Sequence, residues 1–194
     1  MPRPVEFDRD VVLEQAMDVF WIKGYEATSL LDLLSAMNLS KSSFYQAFGS
    51  KEELFLTCLS HYQEALAHSF EQGIAEAPTA LGFLEAYLAS IADNRNKDAM
   101  KGCLLMNTAS EFAERHPEIS RATKKGLNLL TRLFSGVIQQ GQAEGEISKK
   151  ADPAALGTFL LTTVAGLKTM AKAGTSKAKL RAVADSALVA VRGA

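Results

Sequence analysis

From Ser40 to Gln46 the chain groups Ser40, Lys41, Ser42, Ser43, Tyr45 and Gln46: small donors, one ammonium, one aromatic hydroxyl and one amide. Phe44 and Phe48 interrupt them at an i, i+4 spacing that fastens a helix by one side. A helix from Lys41 to Phe48 would turn the polar residues outward. Hydroxyls and an ammonium suit phosphate oxygens, while Gln46 and Ser42 can reach base edges in a major groove. The chemistry on offer is recognition of a polyanion. The same composition also suits a capped amphipathic helix in an ordinary bundle.

The flanking residues decide how that helix is held. Ser29 and Asp32 have capping-box spacing, where a hydroxyl and an acid satisfy orphan N–H groups at a helix start. Leu30, Leu33, Leu34 and Met37 follow at helical intervals. Asn38 tolerates a left-handed backbone and can end that helix. Leu39 points inward and Ser40 caps the next helix. Gly49 stops it, and Ser50 with Glu53 opens a third through another capping box. Two short helices about a tight turn form a helix-turn-helix, whose second helix enters the DNA major groove.

Thr28-Ser29, Asp32, Leu39-Ser40-Lys41, Phe44-Tyr45, Phe48 and Ser50-Lys51-Glu52-Glu53-Leu54-Phe55 resemble the DNA-binding signature of the TetR/AcrR family of bacterial transcriptional regulators. The match covers the first quarter of the chain; the remainder fits by helix count and order. The chain departs from the family pattern at Asn38 and Ser42, where Gly is frequent, and at Ala47, where His or Tyr is frequent. The resemblance implies that Thr28, at a helix cap, and Lys51 contact phosphate. It implies a repressor that binds a double-stranded DNA operator as a homodimer and leaves it when a small-molecule effector occupies the larger domain.

Charge speaks differently. The formal net charge is −1, and residues 1–51 carry five Lys and Arg against seven Asp and Glu. The reading end is thus not a basic domain, and any hold on phosphate rests on a few placed groups. The last 46 residues carry eight basic against two acidic side chains, a pattern of a solvated helix face. Two cysteines without a spacing motif suit a reducing, cytoplasmic setting. No uninterrupted apolar run of membrane-spanning length and no signal peptide is visible.

Further helices are expected at Asp8–Gly24, Ser50 to about Ala77, Thr79 to about Asn94, Gly102–Glu114, Glu118–Glu144, Pro153–Lys172 and Ser176–Arg192, with a polar loop from Asp93 to Lys101. No strand alternation occurs. The fold class is all-α with about nine helices: residues 1–50 as a DNA-binding domain and 51–194 as an effector-binding and dimerisation domain. The helix from Lys51 links the two. The helix from Pro153 is apolar on most of its circumference and needs burial on two sides. A two-fold four-helix bundle would supply it, through Leu156, Leu160, Val164, Leu167, Leu180, Ala184, Ala187, Leu188 and Val191. A helix buried at the centre of a monomer is the alternative. A helical bundle can also enclose a ligand. Tyr62, Leu66, Phe83, Tyr87, Cys103, Met106, Asn107, Phe134 and Phe159 are its candidate lining, and each also suits plain core packing.

Two constellations suggest sensing. Cys103 follows Lys101 and Gly102 at a helix start, where the dipole and a cation favour a reactive thiolate. Cys58, His61 and His68 share a face of one helix and have metal-ligand chemistry. Cys103 also suits a small buried residue, and the second set a core Cys58 beside solvated histidines. No Gly-rich phosphate loop, GxSxG, HExxH or paired-acid arrangement is present, so neither an enzyme nor a cofactor is expected. Glu111 and Glu114 read as a solvated face. A helical interaction module without DNA binding is the remaining class.

Overall fold

The computed structural model describes residues 7–93, 101–112 and 115–193. These form nine helices and no strand. They are α1 (Arg9–Lys23), α2 (Leu30–Ala36), α3 (Lys41–Phe48), α4 (Lys51–Glu76), α5 (Ala80–Ala92), α6 (Leu104–Phe112), α7 (Pro117–Glu144), α8 (Pro153–Lys172) and α9 (Lys177–Gly193). Most of the expected loop from Asp93 to Lys101 lies outside the described residues, as do positions 113 and 114 at the end of the sixth expected helix.

The helix starts are set by side chains that accept from orphan N–H groups. The Asp8 carboxylate takes the N–H groups of Asp10 and Val11. Ser29 and Asp32 complete both halves of their capping box. The hydroxyls of Ser40, Ser50 and Thr79 accept from the N–H groups of Ser43, Glu53 and Gly82. Asp152 caps α8 ahead of Pro153. Such caps are worth about 1 kcal/mol each. Between α2 and α3 the chain turns at Asn38, whose φ is +50°.

Two apolar cores follow. The first gathers α1 to α3, the first three turns of α4 and the inner side of α6. Phe20, Leu33, Met37, Phe44, Leu54, Phe55 and Phe112 lie within it. The second joins α5, α7, α8 and α9 around Leu84, Leu88, Phe134, Ile138, Leu160 and Val191. α4 serves both, through Phe55, Leu59 and Tyr62 in one and Phe70 in the other. The first core therefore runs across residue 50, so a division there separates tasks rather than cores.

One expectation is corrected. Leu160, Val164, Leu167, Leu180, Ala184, Ala187, Leu188 and Val191 are buried within their own chain, and Leu156 is half-buried. The apolar stripes of α8 and α9 face α5 and α7 of the same protomer, so those side chains are not available to a partner. Gly157 serves the same packing: a Cβ there would meet Ser135 and, at 2.9 Å, the Thr131 carbonyl of α7. The outer faces of α8 and α9 instead carry Phe159, Met170, Val183 and Val189, the last 68% exposed. By length and composition alone α8 is apolar enough to cross a membrane, a test that a core helix also passes. Its inner side packs on α5, α7 and α9.

The α2–α3 turn yields a test. A left-handed backbone costs a β-branched residue about 1–2 kcal/mol and glycine none. Asn38→Val should lower stability in urea by about that amount, and Asn38→Gly should leave it unchanged or raised. Equal losses in both variants would show that side-chain contacts, not backbone conformation, fix the turn.

Candidate functional site

α3 is held by one side only. Phe44 and Phe48 are buried in the first core, in ring contact with each other at 6.0 Å. Lys41, Ser42, Tyr45 and Gln46 stand exposed on the opposite side, with Tyr45 47% exposed and its ring edge against Phe44. Ser43 is half-buried, its N–H donated to Ser40 and its hydroxyl 2.9 Å from that of Ser40. Six of the residues expected to read DNA are therefore together: four project, and Ser40 and Ser43 shape the helix start. Lys41 is the one cation among them. Sequence reasoning missed Arg9, at the start of α1, whose guanidinium lies over the Phe48 ring at 5.3 Å and so stands beside α3.

Thr28 needs correction as a phosphate contact, and the half-buried Lys51 is engaged within its own chain. Thr28 is 1% exposed, and its hydroxyl donates to the Gly24 carbonyl at 2.5 Å. Its N–H is also taken, by the Tyr25 carbonyl, and Ser29 rather than Thr28 caps α2. The Lys51 ammonium donates to the Thr28 carbonyl at 2.7 Å and sits over the Tyr25 ring at 4.2 Å. Both residues lock the α1–α2 connection onto the start of α4. The Tyr25 hydroxyl lies above its ordinary titration range through burial and the nearby carboxylates of Glu52 and Glu26. At the edge of α2, Asp32 accepts from Lys23 at 2.6 Å and from the Ser29 N–H, which hold its carboxyl well below the usual carboxylate range.

The same connection is gripped from the other side by α6. The Glu111 carboxylate, read from sequence as solvated, accepts from the N–H groups of Tyr25 at 3.0 Å and Glu26 at 2.7 Å. Gly24 allows the approach: its φ is +82°, and a Cβ would lie 3.0 Å from the Glu111 carboxylate. Lys101 pairs with Asp18 of α1 at 2.8 Å, and His116 with Glu26 at 3.2 Å. These contacts join the reading head to the larger bundle.

Near that junction lies a cavity of about 350 Å³. It lies among Met17 and Trp21 of α1, Tyr62, Leu66 and Ser69 of α4, Tyr87 and Ser90 of α5, and Lys168 of α8. A narrower recess continues inward past Tyr62, Leu66, Tyr87, Cys103, Phe134 and Lys168. Five of the nine expected lining residues are thus brought together: Tyr62, Leu66, Tyr87, Cys103 and Phe134. The other four are not. Phe83 packs on Phe70 and Tyr87, Met106 lies against the first core, Asn107 donates to the Lys101 carbonyl, and Phe159 is exposed on α8. The α1 residues and Lys168 were missed because nothing in their spacing ties them to α4. Burial pushes the hydroxyls of Tyr62 and Tyr87 above their usual range, so both remain neutral donors.

Cys103 is buried, just ahead of α6, with the Tyr62 hydroxyl 4.0 Å from its Sγ. The cation expected to activate it, Lys101, is engaged with Asp18. Cys58 is fully buried, and burial pushes its thiol up to about 12. His61 is half-buried and His68 exposed, so the three are not gathered. Among the described residues no group of three His, Cys, Asp or Glu side chains is placed to hold a metal ion.

A helix-turn-helix projecting one polar helix from a helical bundle defines a DNA-binding regulator. Residues 12–58 match the model for bacterial regulatory proteins of the tetR family, and residues 80–187 match that for tetracyclin repressor-like C-terminal domains. The chain is 34% identical over 188 residues to the HTH-type transcriptional repressor ComR of Escherichia coli (strain K12), covering 96% of this chain and 90% of that one. A cysteine mutant of the TetR family regulator CifR, solved with 26-base-pair operator DNA, superposes with a TM-score of 0.84 at 35% identity, over 97% of this chain and 99% of that one. A Cytophaga hutchinsonii regulator shares the fold, with a TM-score of 0.84 at 22% identity over 97% of both chains. The chain belongs to the TetR family of bacterial transcriptional regulators, and its similar proteins are regulators rather than enzymes.

The α6 grip can be tested alone. Glu111→Ala leaves two N–H groups at the α1–α2 connection without their acceptor, which should cost about 1–3 kcal/mol in chemical denaturation. Amide exchange at Tyr25 and Glu26 should quicken. Unchanged stability together with unchanged exchange would mean that the carboxylate holds nothing.

Proposed function

We propose that the chain represses transcription by binding a palindromic operator as a homodimer in the cytoplasm, and that a small molecule in the α1–α4–α5–α8 cavity releases it. The observation that carries the first half is the exposed face of α3: Lys41, Ser42, Tyr45 and Gln46 on a helix fixed from behind by Phe44 and Phe48. Lys41 and Tyr45 take phosphates, with Arg9 beside them, and Gln46 and Ser42 face the base edges. With so few cations the salt dependence should be shallow, because each neutralised phosphate contributes a slope of about −0.9. The CifR mutant bound to operator DNA supports this reading.

A weakly charged head gains from a second copy. Two-fold pairing sets two recognition helices on one face of the duplex, about 34–36 Å apart for neighbouring turns. The outer faces of α8 and α9, with Phe159, Met170, Val183 and Val189, are the apolar surface that pairing would cover. The effector half rests on the cavity's place. Its wall includes Met17 and Trp21 of α1, so an occupant touches the helix that carries the reading head. A ligand shifts the balance only by its differential affinity for the DNA-competent and incompetent arrangements.

Anisotropy titration of labelled DNA from upstream of the coding region tests the reading. Tyr45→Ala and Gln46→Ala should each weaken binding at least about tenfold without lowering the melting temperature. Binding that ignores sequence, or survives both substitutions, would sink the operator reading. In sedimentation, Phe159→Asp with Val189→Asp should yield folded monomers, whereas Leu160→Ala should cost about 2–5 kcal/mol of fold stability. A dimer that survives the paired aspartates has its interface elsewhere.

A further inference from the structure

We propose that the cavity takes a small apolar monoanion, a carboxylate carried on an aromatic ring or short hydrocarbon, bound between the Lys168 ammonium and the Trp21 indole N–H. The proposal rests on the effector reading above and names the ligand's chemistry. Three observations carry it. First, Trp21 is 6% exposed, lines the cavity, and its Nε1 is buried without a hydrogen-bond partner among the described residues. An indole N–H only donates, and a buried donor left unpaired is costly, so a ligand acceptor that reaches Nε1 when the Trp21 ring adjusts to it would answer it. Second, Lys168 borders both the outer cavity and the inner recess. Among the described residues it has no carboxylate within ion-pair distance. Third, among the described residues no Asp, Glu, Asn or Gln borders either space. The polar groups that do are Lys168 and Trp21, which only donate, and the hydroxyls of Tyr62, Tyr87, Ser69 and Ser90, which donate or accept, that of Tyr62 being donated to Cys103 Sγ. The Ser90 hydroxyl is already donated to the Tyr87 carbonyl.

The rim agrees in sign. Gly102 lines the cavity, and a Cβ there would lie 3.3 Å from Lys172 Cδ and 3.4 Å from Asn107 Oδ1, which places a second α8 lysine one turn beyond Lys168 at the same edge, beside the neutral amide of Asn107. The acid facing this rim from α1, Asp18, is paired with Lys101, and Asp93 at the end of α5 is paired with Arg181. A cation with apolar walls favours an anion over a neutral isostere, because its own desolvation is offset only by opposite charge. The walls of Met17, Leu66 and Ile91 take the apolar body. The volume of about 350 Å³ suits a small ligand.

Trp21 is the chain's one tryptophan, so its emission reports on this cavity alone. The full-length protein is titrated with benzoate, 4-phenylbutyrate and octanoate, and with the primary amide of each, by Trp21 fluorescence and by calorimetry. At least one acid should bind saturably, perturb the emission, and bind about tenfold or more tighter than its amide. Lys168→Ala and Lys168→Glu should abolish that preference at unchanged melting temperature, and Lys168→Arg should keep it. Trp21→Phe, followed by calorimetry, should weaken the acid severalfold. Amides as tight as acids, a preference that survives Lys168→Ala, or no saturable binding by any of the acids overturns the proposal. The same compounds are then added to the complex with upstream DNA. An acid that binds through Lys168 yet leaves the DNA bound upholds the ligand class and refutes the effector reading. Release by neutral compounds with no binding of the acids does the reverse.

Discussion

The Glu111 carboxylate, clasping the N–H groups of Tyr25 and Glu26, is the contact on which the rest of the molecule depends. It closes from α6 what Lys51 closes from α4 by donating to the Thr28 carbonyl. Between them lie a few residues with no regular structure of their own, linking α1 to α2. A loop gripped through its backbone by two different helices cannot shift unless one helix shifts. The position of α2 and α3 is thereby tied to α4 and α6. The aromatic chain of Phe20, Tyr25, Phe55 and Phe112 packs the same joint with centroid spacings of 4.8 to 6.2 Å.

That joint explains why the cavity sits where it does. A ligand deep in α5, α7, α8 and α9 would have to act through the second core, which is packed around Leu84, Phe134 and Leu160. A ligand bordered by Trp21 acts on α1 directly. Trp21 meets Tyr62 edge to face at 5.0 Å, so the cavity wall spans α1 and the long α4 in one contact. The tyrosine that borders the cavity is thus on the helix whose first residue, Lys51, holds the reading head.

The helices were legible because their ends are written in local chemistry. Ser29 with Asp32, Ser40, Ser50, Thr79 and Asp152-Pro153 each satisfy neighbours two or three residues away, and such signals need no knowledge of the fold. Asn38 likewise shows a turn through its own backbone preference. The outward side of α3 was legible from Phe44 and Phe48. Long-range partners were not. Lys51 reads as a free cation until its acceptor, the carbonyl of Thr28, is seen beside it. Glu111 reads as solvated until the chain 86 residues earlier folds against it. The apolar periodicity of α8 and α9 revealed which residues are covered, but not whether their cover comes from the same chain. Leu160 and Val191 meet their own α5 and α7, and the exposed Phe159 and Val189 were the side to ask about.

A reading head with one cation on its recognition helix should hold DNA only when two heads act together. Hydroxyl-radical footprinting of the full-length protein on DNA upstream of its own coding region addresses that claim most directly. The account predicts two protected half-sites of related, inverted sequence on one face of the duplex, appearing together at a single protein concentration. A single protected half-site, or protection spread evenly without sequence preference, would contradict it.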